Sequence, residues 1–258
     1  MLIKKQNGLS YLQFPNLAAF DEGIWHGIFT RQGGCSPAPY SSLNVSMGVG
    51  DRSGNVQQNR RRILDCSGCS ELIFTNQLHG VKVLALKKGD RSDVTIDKKP
   101  TLEGDALVTD IRGKSLVIKV ADCQAVMMVD PLRHVIANVH SGWRGSICNI
   151  VAKTIDTMKE KFDCLPENIH AGVGPSLGPC CGEFIHYQKE IPETLWKYRI
   201  GDVHFDFWAI SRDQLCEAGV KADNIRLSSS CTKCNINQYF SYRGEGVTGR
   251  FAAVITLK

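Results

Sequence analysis

Residues 116–161 read LVIKVADCQAVMMVDPLRHVIANVHSGWRGSICNIVAKTIDTMKEK, and this stretch decides the fold. Leu116 to Val120, Ala125 to Val129 and Val135 to Val139 are short apolar runs rich in β-branched residues, which predicts strands. Asp130-Pro131, between the last two, is a turn signal and predicts a hairpin. From Asn149 to Lys161 the period changes. Ile150, Val151, Thr154, Ile155 and Met158 recur at helical spacing. Strands and a helix follow one another without a regular βαβ alternation. That favours α+β with a mixed sheet over a doubly wound parallel fold.

The same reading extends outward. Leu72 to Phe74, Val81 to Leu86, Ala106 to Thr109, His170 to Val173 and Phe251 to Leu257 are further strands. Gln58 to Cys66 reads as a helix before a turn at Ser67-Gly68, and Ile210 to Ala218 as a short helix closed by Gly219. Arg31 to Tyr40 (RQGGCSPAPY) is a Gly/Pro-rich loop. No repeat, low-complexity tract or linker divides the 258 residues, so one domain, residues 1–258, is expected.

Composition narrows the function classes. With 43% hydrophobic and 22% charged residues the chain can bury a sizeable core. The net charge of +5 is spread over short clusters: Lys4-Lys5, Arg60-Arg61-Arg62, Lys87-Lys88 and Lys98-Lys99. None has interleaved aromatics, so no nucleic-acid partner is expected, while an anionic substrate such as phosphate is favoured. No run approaches the roughly 18 apolar residues of a membrane span. The N-terminus lacks an apolar signal region, so a cytoplasmic location and no membrane partner are expected. Eleven cysteines without a secretory signal point to reduced thiols, a metal ligand or a catalytic thiol rather than a disulfide framework.

Three segments carry a metal-competent side chain where a strand-like run ends: His79 in QLHG, Cys123 in ADCQ and His140 in HSGWRG. Two imidazoles and a thiolate with a fourth position open would suit a catalytic zinc site. Yet 44 residues separate His79 from Cys123, and 17 separate Cys123 from His140. Spacing alone therefore leaves open two hydrogen-bonded histidines and an inert cysteine.

Taken together, TRQGG with SSLNVSMGVGD, NQLHG, GDALVTD, ADCQAVMMVDP, HSGWRG, GPSLGPCCGEF and CT followed by FSYRGEGVTGR resemble the YfiH family. Its members have been described as multicopper polyphenol oxidases (laccases) and as purine nucleoside phosphorylases. The resemblance runs in order from about residue 26 to the end. It implies a four-layer α/β/β/α sandwich with mixed sheets, similar to cytotoxic-factor deamidases. It also implies His79, Cys123 and His140 as zinc ligands, with copper as the alternative ion. The implied activities are phosphorolysis of adenosine, inosine, guanosine and methylthioadenosine, and deamination of adenosine. The chain departs from the family at Ser141, at Cys181-Gly182-Glu183, and at Cys66, Cys69 and Cys234, which bears on specificity rather than on the ligands.

That chemistry suggests roles. Arg31, on its Gly-rich loop, with Arg144 and Arg243, could bind phosphate, against the alternative of structural ion pairs. Asn44 and Gln77 could orient the nucleoside through amide hydrogen bonds. Asp105 is the first choice for moving protons and Asp122 the second, each with a turn-capping role as its alternative. Cys123 could instead be a nucleophile, which ligation would preclude.

Other signals are weaker. Gly174-Pro175-Ser176-Leu177-Gly178 fits a nucleophile elbow, but no helix is predicted after it. Cys66-x-x-Cys69 and Cys231-x-x-Cys234 could together make a four-thiolate zinc site, although a core role is favoured. Three competing functions remain: a copper polyphenol oxidase, for which seven histidines without an H-x-H cluster are few; a metal-free cysteine hydrolase using Cys123 and His140; and a non-catalytic factor in cell-wall (peptidoglycan) editing. Oligomeric state is not legible.

Overall fold

A computed structural model describes residues 1–87 and 101–258; Lys88, Lys98 and Lys99 of the basic clusters lie outside them. In chain order the strands are β1 (Leu2–Gln6), β2 (Leu9–Gln13), β3 (Ile24–Phe29), β4 (Glu71–Ile73), β5 (Val83–Leu86), β6 (Ala106–Thr109), β7 (Lys114–Val120), β8 (Gln124–Asp130), β9 (Val135–Ser141), β10 (His170–Val173), β11 (Arg199–Ile200), β12 (His204–Phe205), β13 (Ile225–Leu227) and β14 (Phe251–Leu257). The helices are α1 (Pro15–Ala18), α2 (Ser53–Ser67), α3 (Trp143–Ile147), α4 (Ile150–Phe162), α5 (Tyr187–Glu190), α6 (Phe207–Glu217) and α7 (Tyr242–Glu245).

Two six-stranded sheets form, in the orders β1-β2-β3-β14-β7-β4 and β13-β10-β8-β9-β6-β5. Each is mixed. In the first, β4 runs parallel to β7 and the remaining pairs are antiparallel. In the second, β5–β6 and β10–β13 are the parallel pairs. The sheets pack face to face, with β7 and β14 against β9. Helix α2 covers β2 and β3 on one outer face, and α4 and α6 cover the other. The result is the expected four-layer sandwich with mixed sheets.

This layering explains the sequence pattern. Every residue of β8, β9 and β14 is buried. A strand covered on both faces reads as a continuous apolar run rather than an alternation. One large core lies between the sheets, where Ile118, Met127, Ile136 and Val254 meet. A second lies beneath α4 and α6, where Ile155 and Met158 pack on Val108 and Val139. Asn138 links the sheets: its amide on β9 donates to the Leu116 and Ala253 carbonyls at 2.9 Å each. Among the described residues no helix is long and apolar enough to cross a membrane.

Candidate active site and metal centre

Strand ends deliver the three predicted ligands to one place. Their ligand atoms, one each from His79, Cys123 and His140, all lie within 4.8 Å of one another. The two imidazole rings meet edge to face, 4.7 Å between centroids at 87°. His140 lies near the end of β9, opposite Ala125 on β8. Cys123 occupies the tight β7–β8 connection, where Asp122 takes a left-handed φ of 84°. His79 follows β4, with a φ of 59°. A Cβ on Gly142 would come within 3.1 Å of His79 Cδ2 and 3.2 Å of Cys123 Sγ. Gly142, two residues after His140, therefore keeps the space between the ligands open.

Asp105 organises this group. Its Oδ1 accepts from the His79 N–H at 2.9 Å and pairs with His140 Nδ1 at 2.8 Å. Its Oδ2 accepts from the N–H groups of Leu78 at 3.2 Å and Gly80 at 2.8 Å. A carboxylate has about four lone-pair sites, and all are taken. With Nδ1 committed to Asp105, His140 turns Nε2 towards the ligand group. Burial alone would raise the Asp105 carboxyl; the hydrogen bonds from His140, Gly80 and His79 and the His140 charge outweigh it and hold the carboxyl below its ordinary range. Burial likewise pushes the Cys123 thiol up, but the His140 charge and hydrogen bonds from both imidazoles bring it down to about 6. His140 responds in the opposite sense: burial lowers it, while Cys123 and Asp105 raise it to about 9. Two imidazoles and a thiolate-prone sulfur, with the Asp105 carboxylate fixing one ring from behind, are a donor set that fits zinc, or copper, with a position left open.

The group lies at a cavity of about 710 Å³. Lys119, Arg144, Arg243 and Arg250 contribute cations to its lining, and Asp122 is the one carboxylate among the described lining residues. Trp143, Phe184, Phe207 and Tyr242 add aromatic surface. Arg144 lies over the Trp143 ring at 4.6 Å, and Trp143 meets Phe184 edge on. The Lys119 amine sits in the apolar stretch 116–120 of strand β7, which begins with a second lysine, Lys114. Burial, then Arg60 and Arg250, push it down to about 7, against the opposing pull of Asp105.

The other expected residues divide. Gln77 lines the cavity, but its amide pairs with the main chain of Lys119 through both ends, at 2.8 and 3.0 Å. Arg243 lines it too, with its guanidinium donating to the Glu183 carbonyl. Arg31 is not among the lining residues. Its guanidinium is spent on Ser41 O, Ile236 O and Glu245, 2.9 Å away, and stacks on Phe240. Asn44 is fully buried and holds Ser46, Asp51 and the Arg250 N–H, so it shapes the wall without facing the cavity. The lone pairs of Asp105 are all taken by its bonds to residues 78–80 and His140. Asp122 is similarly engaged, accepting from Thr232 Oγ1, Ser241 Oγ and the Arg243 N–H at 2.6–2.7 Å. Sequence reading missed Lys119 and Arg250. The signals were a charge inside the apolar run LVIKV, and a second arginine in FSYRGEGVTGR, the motif that holds Arg243.

Ser176 is buried and accepts from Trp208 Nε1 at 2.7 Å in a segment without a following helix, so no nucleophile elbow forms. Cys231 and Cys234 do not meet Cys66 and Cys69. Cys66 packs in the inter-sheet core and Cys69 bonds Thr256 Oγ1.

Comparison with known proteins gives a consistent neighbourhood. The family described as multi-copper polyphenol oxidoreductase laccase matches residues 25–258. A purine nucleoside phosphorylase of Bacteroides thetaiotaomicron is 31% identical over 95% of this chain and 96% of its own length. One from Deinococcus radiodurans is 34% identical over 97% and 94%. The crystal structure of the hypothetical protein YfiH from Bacillus licheniformis superposes with a TM-score of 0.89 at 27% identity, covering 99% of each chain.

Proposed function

The chain belongs to the multi-copper polyphenol oxidoreductase laccase family, whose relatives include the purine nucleoside phosphorylases above, and from this premise we propose that it is a zinc-dependent purine nucleoside phosphorylase. Adenosine, inosine, guanosine and methylthioadenosine are its substrates, with phosphate as the second. The observation that carries this reading is one cavity combining a three-ligand group, a cationic lining and aromatic walls. Its volume falls within the roughly 300–1,000 Å³ usual for small-ligand sites.

Phosphorolysis breaks the bond between purine nitrogen and ribose C1′ and joins C1′ to a phosphate oxygen. The nucleophile is already an anion and needs no base, only an electropositive seat. Lys119, Arg144, Arg243 and Arg250 supply that seat. Lys119, held near neutrality by its surroundings, takes up a proton as the anion enters. Trp143, Phe184 and Tyr242 offer flat faces for the purine. His79, Cys123 and His140 would hold a metal ion, which would supply Lewis acidity. Deamination needs a carboxylic acid or base to shuttle protons. Asp105 has no oxygen to spare, and Asp122 already accepts three hydrogen bonds, so phosphorolysis is the main activity and adenosine deamination the slower one. Copper oxidation is disfavoured, because among the described residues the two metal-competent groups hold only two histidines between them.

One observation favours a second reading: Asp105, His140 and Cys123 form a carboxylate–imidazole–thiol series like that of a cysteine hydrolase. His79 separates the two. Chromatographic turnover of adenosine, with metal analysis, on wild type and His79→Ala decides between them. The metalloenzyme reading predicts phosphate-dependent adenine release, lost in the variant together with its site metal. Turnover that survives in His79→Ala would move the assignment to the thiol series.

A further inference from the structure

We propose that Cys180, Cys181, Cys231 and Cys234 bind a second metal ion, a closed tetrathiolate zinc site that braces the cavity wall and shares no ligand with the His79–Cys123–His140 group.

The four sulfurs all lie within 4.8 Å of one another. Cys234 Sγ is 3.6 Å from both Cys180 Sγ and Cys181 Sγ. A disulfide would require about 2.05 Å. Four sulfurs about 2.3 Å from one central ion, in a tetrahedron, stand about 3.8 Å apart, a value between the two 3.6 Å separations and the 4.8 Å that bounds the whole group. A cluster of several irons needs its thiolates spread further than a single ion does, so the compact group suits a mononuclear site. Soft sulfur donors in a tetrahedron select zinc among common divalent ions.

The fold builds this group on purpose-shaped backbone. Strands β10 and β13 are parallel neighbours, so the segments that follow them leave the same end of the sheet side by side. The pairing continues beyond the strands: the Ser176 N–H donates to Ser230 O and the Thr232 N–H to Ser176 O. That ladder carries Cys180-Cys181 and Cys231-x-x-Cys234 together. Gly178 permits the approach, since a Cβ there would lie 3.1 Å from Cys231 Cβ. The N–H groups of Gly178 and Cys234 both reach the Cys231 sulfur, an arrangement that stabilises a thiolate. A two-residue spacer between cysteines is the usual chelating pair of structural zinc sites.

With four protein ligands no position is open for substrate, so the ion is structural. Its consequence lies next door. The segment holding Cys180 and Cys181 supplies Leu177 and Phe184 to the cavity, and the segment after Cys234 supplies Tyr242 and Arg243. The ion joins these two segments across the same wall.

The test is metal stoichiometry by mass spectrometry on protein purified under reducing conditions, for wild type, His79→Ala and Cys234→Ser, followed by cobalt(II) exchange. The proposal predicts one zinc per group, hence two per wild-type chain. Each variant keeps one. Cobalt-loaded His79→Ala shows the ligand-field and sulfur-to-cobalt bands of a tetrathiolate site, and Cys234→Ser loses them. His79→Ala leaves all four thiols intact, so a folding failure of Cys234→Ser does not blunt the test. A wild-type chain with one zinc that persists in His79→Ala would uphold this site while sinking the metalloenzyme reading. The proposal is overturned if His79→Ala carries no tightly bound metal, if iron fills the site, or if intact mass shows these cysteines joined as disulfides.

Discussion

Asp105, expected to move protons, is committed to hydrogen bonds within the His79–Cys123–His140 group. A carboxylate in GDALVT beside candidate metal ligands suggests proton transfer, because sequence does not show how many donors surround it. The structure surrounds it with four, three from the main chain of residues 78–80 and one from His140. It fixes one ligand's ring and another ligand's backbone. Asp105→Asn replaces one acceptor oxygen with a donor that faces N–H groups. Metal affinity is expected to fall by roughly 10–100-fold, the usual cost of losing an outer-shell partner. Competition titration with a chelating dye checks this; unchanged affinity would return Asp105 to a proton-transfer role. Arg31 misled for a related reason. A guanidinium on a Gly-rich loop looks ready for phosphate until Glu245, more than two hundred residues away in sequence, is found to occupy it.

Among the elements, the central strands were legible because burial on both faces leaves an unbroken apolar run. Ala106–Thr109, His170–Val173 and Phe251–Leu257 match their predicted bounds, and the β8–β9 hairpin forms at Asp130-Pro131. The N-terminal strands were missed. β1 is exposed throughout and carries no apolar stripe, so periodicity says nothing about it. The hairpin signal was nevertheless present: Asn7-Gly8 is a two-residue loop with φ of 52° and 77°, closing Gln6 onto Leu9. Helix α2 begins at Ser53 rather than Gln58, because its first turn is polar. The segment from β13 to β14 has little regular structure, yet it brings Tyr242, Arg243 and Arg250 to the cavity. Asp122 fastens it to the β7–β8 connection by three hydrogen bonds. Asp122→Asn weakens charge-assisted bonds of about 1.5–3 kcal/mol each. The KM for phosphate is expected to rise about tenfold with the histidine–cysteine site's metal content unchanged. Steady-state kinetics beside metal analysis tests this, and loss of that metal with KM unchanged would contradict it.

The whole molecule depends on groups far from the cavity. His26, on β3, is buried and accepts a hydrogen bond from the Phe14 N–H through Nε2 at 2.8 Å. Burial lowers its pKa to about 4. The unfolded chain binds this proton near pH ~6.5 and the folded chain only near 4, so between these values the unfolded state binds more protons. Stability from this group is therefore intact above that window and lost as pH falls through it, by about 3 kcal/mol in all. Denaturant midpoints measured against pH should show a shallower acid slope for His26→Gln, and identical slopes would refute the assignment. At this scale the sequence indicated a mixed α+β architecture, and the family resemblance supplied the four layers. Contacts between distant segments, such as the meeting of Cys180-Cys181 with Cys231 and Cys234, depend on which strands become neighbours and were not legible. Phosphorolysis at one cavity is the central proposed activity. Phosphorus NMR of adenosine and inorganic phosphate with the zinc-loaded protein tests it directly. The expected result is a ribose 1-phosphate resonance growing in step with free adenine; adenine accompanied by free ribose, or no consumption of phosphate, would contradict it.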